Sequence, residues 1–195
     1  MLRRIMISML TVTMLGFTIA GLPGGASKAE AAGQQYYVSP QGNDSNPGTE
    51  QQPWKTLAKA GTAAGAGDMV IFKDGSYPGE LVPANSGTAS SPIVFKAQNK
   101  GKAVLTGNAH YGSFTPIIKI AGKSYITIDG FHVAPQDIEQ GRWILVDKLS
   151  STWSSYITVS NNTMEHTASG WNDSNPAVFR FVTQIKLVAM YFAML

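Results

Sequence analysis

The sequence contains no cysteine and comparatively few charged residues. Of its 195 residues only 14% are charged, whereas 44% are hydrophobic. The lack of cysteine excludes disulfides, so burial and backbone hydrogen bonds must hold the fold together. Low charge, 20 glycines and many Asn, Ser and Thr residues favour a β-rich, turn-rich protein over a helical one.

Several familiar catalytic motifs are also missing. The chain has no nucleophile elbow, no P-loop and no dinucleotide-binding fingerprint. Its three histidines, His110, His132 and His166, do not have the spacing of metal ligands. The acidic residues after position 68 form no D-x-D or D-D cluster, so a compact calcium motif is not apparent.

The longest apolar run lies at the N-terminus. Residues 5–22 are almost all apolar, they follow Arg3 and Arg4, and the small-x-small pattern at residues 29–31 matches a signal peptidase site. We interpret residues 1–31 as a secretion signal; a membrane anchor is the alternative, since the run is nearly long enough to span a bilayer. Removal of the signal takes away Arg3, Arg4, Lys28 and Glu30. That leaves 12 basic and 11 acidic residues, so nucleic acid is not indicated as a partner.

A helical pattern follows the first short β-type run and loop of the mature chain. Residues 41–52 are almost all turn formers, and Pro53 suits the first turn of a helix. Apolar or small residues then recur with helical spacing, which predicts a short amphipathic helix that ends near Gly65 and Gly67. The residues of this stripe are Trp54, Leu57, Ala58, Gly61 and Ala64.

After residue 68 the sequence becomes a series of short β-type runs separated by turn clusters such as "KDGSYPG" and "QNKGK". No second amphipathic helix appears, which argues against an alternating βα fold. The remaining candidates are a sandwich, a barrel and a solenoid.

A repeat favours the solenoid. "SYITIDGFHV" at residues 124–133 aligns without a gap with "SYITVSNNTM" at residues 155–164, 31 residues further on. Each copy reads as a strand, a tight bend and a second short strand, which suits one coil of a parallel β-solenoid. "KAVLTGNAHYG" at residues 102–112 is interpreted as a looser earlier copy. Coincidence between two strands of a sandwich is the alternative, since solenoids usually show three or more repeats.

Four motifs carry a resemblance to a known family: "YYVSPQGNDSNPGT" at residues 36–49, "PWKTLAKA" at 53–60, "GDMVIFKDGSY" at 67–77 and "SGTASSPIVFKA" at 86–97. Together they resemble the N-terminal region of secreted bacterial right-handed parallel β-helix proteins, namely the pectate-lyase-like polysaccharide lyases, from about residue 36 to about residue 170. The resemblance implies an all-β right-handed parallel β-helix with a short N-terminal helix that caps the open end of the solenoid.

The activity implied by the resemblance is β-elimination of uronate polymers, so an acidic polysaccharide is the expected partner and Ca²⁺ the expected cofactor, with no other cofactor. Such chemistry needs a Lys or Arg base and oxygen ligands for the metal. The candidates are Lys148 and Arg142 for catalysis, Trp143 and Trp171 for sugar stacking, with Trp153 as a further aromatic, and Glu165 and Asp173 for the metal. Because Asp129 precedes Gly130, we interpret it as a turn residue, and a role as a metal ligand is the alternative.

The domain organisation predicted from these patterns has four parts: the signal at 1–31, a strand, loop and capping helix at 32–67, the first coils at 68–177, and an apolar tail at 178–195. The tail lacks Gly, Asn and Pro, and either a helix or a strand fits it. We expect a secreted monomer without stable membrane insertion, in a truncated form with an incomplete catalytic site. A non-catalytic carbohydrate-binding or cell-surface solenoid is the alternative.

Overall fold

A computed structural model describes residues 33–107, 116–134, 143–166 and 185–194. The predicted signal at 1–31 lies outside this range. The described residues form one helix, α1 (Leu57–Ala63). They also form eleven strands: β1 (Gln35–Val38), β2 (Met69–Phe72), β3 (Gly75–Tyr77), β4 (Ile93–Ala97), β5 (Ala103–Leu105), β6 (Ile118–Ala121), β7 (Ser124–Asp129), β8 (His132–Val133), β9 (Ile144–Asp147), β10 (Ser155–His166) and β11 (Ile185–Met194).

The strands stack in parallel on three faces of a solenoid of about four turns. The first face is formed by β1, β2, β4, β7, β10 and β11 in that order. The second face stacks β3, β5, β8 and the C-terminal part of β10. The third face pairs β6 with β9, and an isolated parallel bridge joins Leu81 to Ile118. The predicted parallel β-helix is thereby confirmed.

The 31-residue repeat corresponds to two neighbouring coils. Ile126 lies opposite Ile157, and Ile128 lies opposite Val159. All four side chains are buried in the core, and Ile93 continues the first column in the preceding coil. Stacking places equivalent positions in contact, so similar aliphatic residues recur at the same point of each coil.

The bend between the first two faces depends on one buried amide. Asn162 is 0% exposed; its Oδ1 accepts the Phe131 N–H at 2.8 Å and its Nδ2 donates to the Ile128 carbonyl at 3.0 Å. Both hydrogen bonds of this amide therefore go to backbone groups of the preceding coil. At the preceding position of the bend, Gly130 and Asn161 both have positive φ, 77° and 56°. Gly and Asn enter this region more easily than other residues, which explains the pair.

One sequence alignment was wrong. The sequence predicts that residues 102–112 are an earlier copy of the repeat, which would begin on the first face, but Val104 pairs with His132 of β8 on the second face. The rung that precedes β7 is β4, in which Ile93 lies opposite Ile126. Short aliphatic strands with alternating burial occur on both faces, so the pattern alone did not distinguish them.

The first coil is covered by the segment that precedes and includes α1. Trp54 is 4% exposed, stacks on Tyr36 with 4.4 Å between ring centroids, and donates its indole N–H to the Asn46 carbonyl. A parallel bridge also joins it to Val38. The core thus continues into this segment, and the edge strand β1 has a partner on its outer side.

The helix itself starts later than Pro53. Thr56 is its N-cap and accepts the Lys59 N–H, and Asp44 accepts the Lys55 and Thr56 N–H groups and the Thr56 hydroxyl. Burial raises the pKa of Asp44, but the hydrogen bonds from Thr56 and Lys55 and the nearby Lys59 together hold it below its usual value. Ala58 is exposed, so it does not belong to the predicted apolar stripe; Ala60 is buried in its place.

The C-terminal tail contains a strand. β11 pairs in parallel with β10 and so continues the first face. Within the described parts of the chain, no helix has both the length and the apolar character needed to span a membrane.

Candidate functional site

One exposed lysine lies on the third face, and a second lies next to it. On β6, Lys119 is exposed between the buried Ile118 and Ile120, as expected for a strand with one inward face. In the next coil Leu145 lies beside Lys119, and Asp147 lies beside Ala121. The exposed Lys148 follows directly. Two lysines therefore lie on or next to this face, in neighbouring coils.

Lys148 contacts an exposed aromatic side chain. Its Nζ lies 5.2 Å from the centroid of the Trp153 ring, and Trp153 is 44% exposed. This arrangement combines a cation with a flat apolar ring, the two groups that a uronate sugar would use through its carboxylate and its C–H face.

Trp143 has a different role from the one predicted. It is 5% exposed and belongs to the hydrophobic core next to Ile144. A ring buried in this way offers no face on which a sugar can stack. The remaining candidates are not placed by the structure: Glu165 lies in β10, where only its backbone is described, and Arg142, Trp171 and Asp173 lie outside the described residues.

The outer side of the first face is polar, but many of its groups bond to each other. The Ser124 and Ser155 hydroxyls are 2.8 Å apart, and Asp129 Oδ1 accepts bonds from Ser160 Oγ and Asn161 Nδ2 at 2.6 and 2.8 Å. These contacts join adjacent coils. They support the structural reading of Asp129, because its carboxylate couples two turns of the solenoid.

A tyrosine pair on this side was missed by sequence reasoning. Tyr125 and Tyr156 stack with 4.5 Å between centroids and an interplanar angle of 3°, and both have positive φ, 57° and 55°. Tyr156 is 54% exposed. The sequence did contain evidence for the pair, because the two tyrosines occupy the same position in the 31-residue repeat.

Calcium binding requires several oxygen ligands close together. In the described parts of the chain, no group of three or more His, Cys, Asp or Glu side chains comes together. The Asp129 carboxylate on the first face already accepts two hydrogen bonds through one oxygen. The described residues therefore do not form the oxygen-rich cage that Ca²⁺ requires.

Comparison with known proteins places this geometry in a family. A sequence model described as "Pel9A-like, right handed beta helix region" matches residues 36–180. The uncharacterized protein YwoF of Bacillus subtilis (strain 168) is 34% identical over 137 residues, which cover 68% of this chain and 29% of YwoF. Pectate lyase L of Dickeya chrysanthemi is 27% identical over 141 residues, covering 68% of this chain and 30% of the lyase.

Solved structures agree on the fold. The crystal structure of pectate lyase Pel9A matches with a TM-score of 0.55 and 22% identity, covering 71% of this chain and 35% of Pel9A. At this identity the match shows the fold alone. The chain spans about 30% of the length of the curated relatives it matches. On the extent of the family match and the parallel coils described above, the chain belongs to the Pel9A-like right-handed β-helix family.

Proposed function

We propose that this protein is secreted and acts on acidic polysaccharide, with β-elimination of uronate polymers as its reaction. The observation that carries the proposal is the family match over residues 36–180, supported by the similarity to a protein named pectate lyase L. Lys119 and Lys148 on and next to the third face supply positive charge of the kind that a polyanionic chain would bind.

The reaction defines what a site must contain. A base removes the proton from the carbon next to the uronate carboxylate, the bond from the neighbouring carbon to the glycosidic oxygen breaks, and a carbon–carbon double bond forms. The leaving oxygen then takes up a proton. A cation beside the carboxylate favours this step, because negative charge builds up there as the proton leaves.

Lys148 and Arg142 are our proposed catalytic groups: Arg142 would act as the base, and the Lys148 ammonium group would contact the carboxylate. Lys148 is exposed next to the third face, so a polymer lying on that face can reach its ammonium group. The resemblance also implies Ca²⁺, for which Glu165 and Asp173 are the proposed ligands. The assay below therefore treats calcium as a variable.

A second function has an observation of its own. The exposed Trp153 ring with Lys148 at 5.2 Å would bind a saccharide without any chemistry. A non-catalytic carbohydrate-binding solenoid is therefore the alternative, and turnover distinguishes it from a lyase.

The test uses the purified chain from residue 32 with polygalacturonate and with alginate, with and without Ca²⁺. Ultraviolet absorbance of the unsaturated products measures cleavage, and retardation in gels containing the polymer measures binding. A lyase gives steady product formation that falls in Lys148→Ala but not in Lys102→Ala, an exposed lysine before β5. Binding without product supports the alternative. Absence of both, in a sample shown to be folded by circular dichroism, refutes the proposed function.

A further inference from the structure

Exposed large hydrophobic side chains are concentrated in one short segment of the chain. Four such residues are found in the described parts of the chain, and three of them, Leu149, Trp153 and Tyr156, lie within eight residues of each other. The fourth, Val82, lies elsewhere in the sequence. Scattered single residues of this kind are ordinary, whereas a cluster on a soluble surface usually indicates binding. We call residues 148–156 the corner segment; it joins β9 on the third face to β10 on the first.

The corner segment is held by a closed turn. Leu149 and Thr152 exchange both backbone hydrogen bonds, at 2.9 and 3.1 Å, and Ser150 between them has φ of 56°. The turn fits closely against the preceding coil: a Cβ added at Gly122 would lie 2.7 Å from the Leu149 Cβ. The absence of a side chain at Gly122 thus makes room for the turn.

A buried serine, Ser154, holds the backbone directly after Trp153 in place. Ser154 is 1% exposed, its hydroxyl donates to the Asp147 carbonyl at 2.7 Å, and its oxygen accepts the Lys123 N–H at 3.1 Å. The backbone on either side of Trp153 is therefore held by the turn and by Ser154. An aromatic ring presented from such a rigid segment loses little freedom when it binds a ligand, which favours affinity.

The three side chains of the corner segment differ in chemistry. Trp153 offers a flat apolar face, and Lys148 lies 5.2 Å from its centroid. Contacts of this type are weak at exposed sites, so the flexible lysine can move from the ring to a carboxylate. Tyr156 follows three residues later, at most about 11 Å along the chain, and Tyr125 supports its ring by stacking.

We propose that Lys148, Trp153 and Tyr156 form a binding subsite for a uronate unit of an acidic saccharide, a proposal that rests on the function proposed above. The apolar C–H face of the sugar stacks on Trp153, Lys148 bonds its carboxylate, and Tyr156 contacts a neighbouring unit of the chain. The subsite lies beside the third face, so a polymer bound along that face continues onto the corner segment.

The test compares two ligands that differ at one group, which is a carboxylate in the first and an uncharged hydroxymethyl group in the second. Isothermal titration calorimetry is performed with an oligogalacturonate of defined length and with the same oligosaccharide after reduction of its carboxyl groups. Trp153→Ala is expected to weaken binding of both ligands about tenfold, as for a central aromatic contact. Lys148→Ala is expected to weaken binding of the acidic ligand alone. Tyr156→Ala removes the ring that contacts the neighbouring unit, so it is expected to weaken binding of both ligands, by less than Trp153→Ala; unchanged affinity in Tyr156→Ala would remove Tyr156 from the subsite.

Matched controls come from the same chain. Val82→Ala removes an exposed hydrophobic side chain and Lys102→Ala an exposed lysine, both outside the corner segment, and neither should change affinity. Trp153→Phe retains a ring and should recover most of the lost binding; melting curves confirm that each variant is folded.

The outcomes separate the subsite from the function. If the unaltered chain binds or cleaves the acidic ligand and Trp153→Ala does so equally well, the subsite is refuted while the proposed function stands. Equal loss of both ligands in Lys148→Ala refutes the carboxylate contact. If the unaltered chain neither binds nor cleaves either ligand, the function and the subsite fail together.

Discussion

Replacing Asn162 by alanine tests how the bend of the solenoid is held. The change leaves the Phe131 N–H and the Ile128 carbonyl without the partners that the side chain provides at 2.8 and 3.0 Å. Because Asn162 is fully buried, bulk water cannot take over the two hydrogen bonds that its amide makes. Each buried polar group left without a partner costs about 1–3 kcal/mol, so we expect about 2–6 kcal/mol of lost stability.

Urea unfolding followed by far-ultraviolet circular dichroism measures this loss as a lower midpoint with an unchanged slope. The control is Asn161→Gly, the neighbouring amide, which is exposed and already has φ of 56°. Glycine adopts that conformation freely, so only the bond to Asp129 is lost and the cost should stay below about 1 kcal/mol. Equal destabilisation by the two changes would refute the assignment of the bend to Asn162.

Three further changes test other parts of the fold. Ile157→Ala removes a buried member of the aliphatic column and should cost about 2–5 kcal/mol in urea unfolding, whereas Thr158→Ala, its half-buried neighbour, should have little effect. Trp54→Ala should cost about 3–5 kcal/mol, and no loss would contradict its role in covering the first coil. Asp44→Asn should destabilise the protein at neutral pH. The folded pKa of Asp44 is depressed, so its contribution is complete above the ordinary value of 3.8 and is lost as pH falls through the lower folded pKa. Melting temperatures of the unaltered chain and of Asp44→Asn should therefore converge below the folded pKa of Asp44. A difference that persists unchanged at that low pH would contradict this account.

The stacked columns were predictable because a solenoid repeats its environment. Ile126 and Ile157 occupy equivalent places in adjacent coils, so both positions select the same residue type and the repeat can be read directly. Asn162 was predictable for a related reason, since a tight bend between strands needs a side chain that bonds to backbone.

Other elements depend on contacts that the sequence does not reveal. β3 (Gly75–Tyr77) was read as part of a turn cluster, because Gly and Ser are poor strand residues; it is a strand because β5 lies beside it. The assignment of residues 102–112 to the wrong face has the same origin. Coil lengths vary with their loops, so only pairing across coils identifies the face on which a short strand lies.

The candidate site was also only partly predictable from the sequence. Trp143 and Trp153 are both tryptophans near short strands, and residue type gave no reason to separate them. The structure separates them, because Trp143 immediately precedes β9 and is buried, whereas the turn at Leu149 and the buried Ser154 place Trp153 at the surface. Lys148 was identified from its charge and its place after a strand, but its contact with Trp153 required the coordinates.

A crystal structure of the chain with a bound oligogalacturonate tests the central claim most directly. We predict that the saccharide lies along the third face, with a uronate ring stacked on Trp153 and its carboxylate bonded to Lys148. A saccharide bound at another surface of the solenoid, with Trp153 uncovered, would contradict the account.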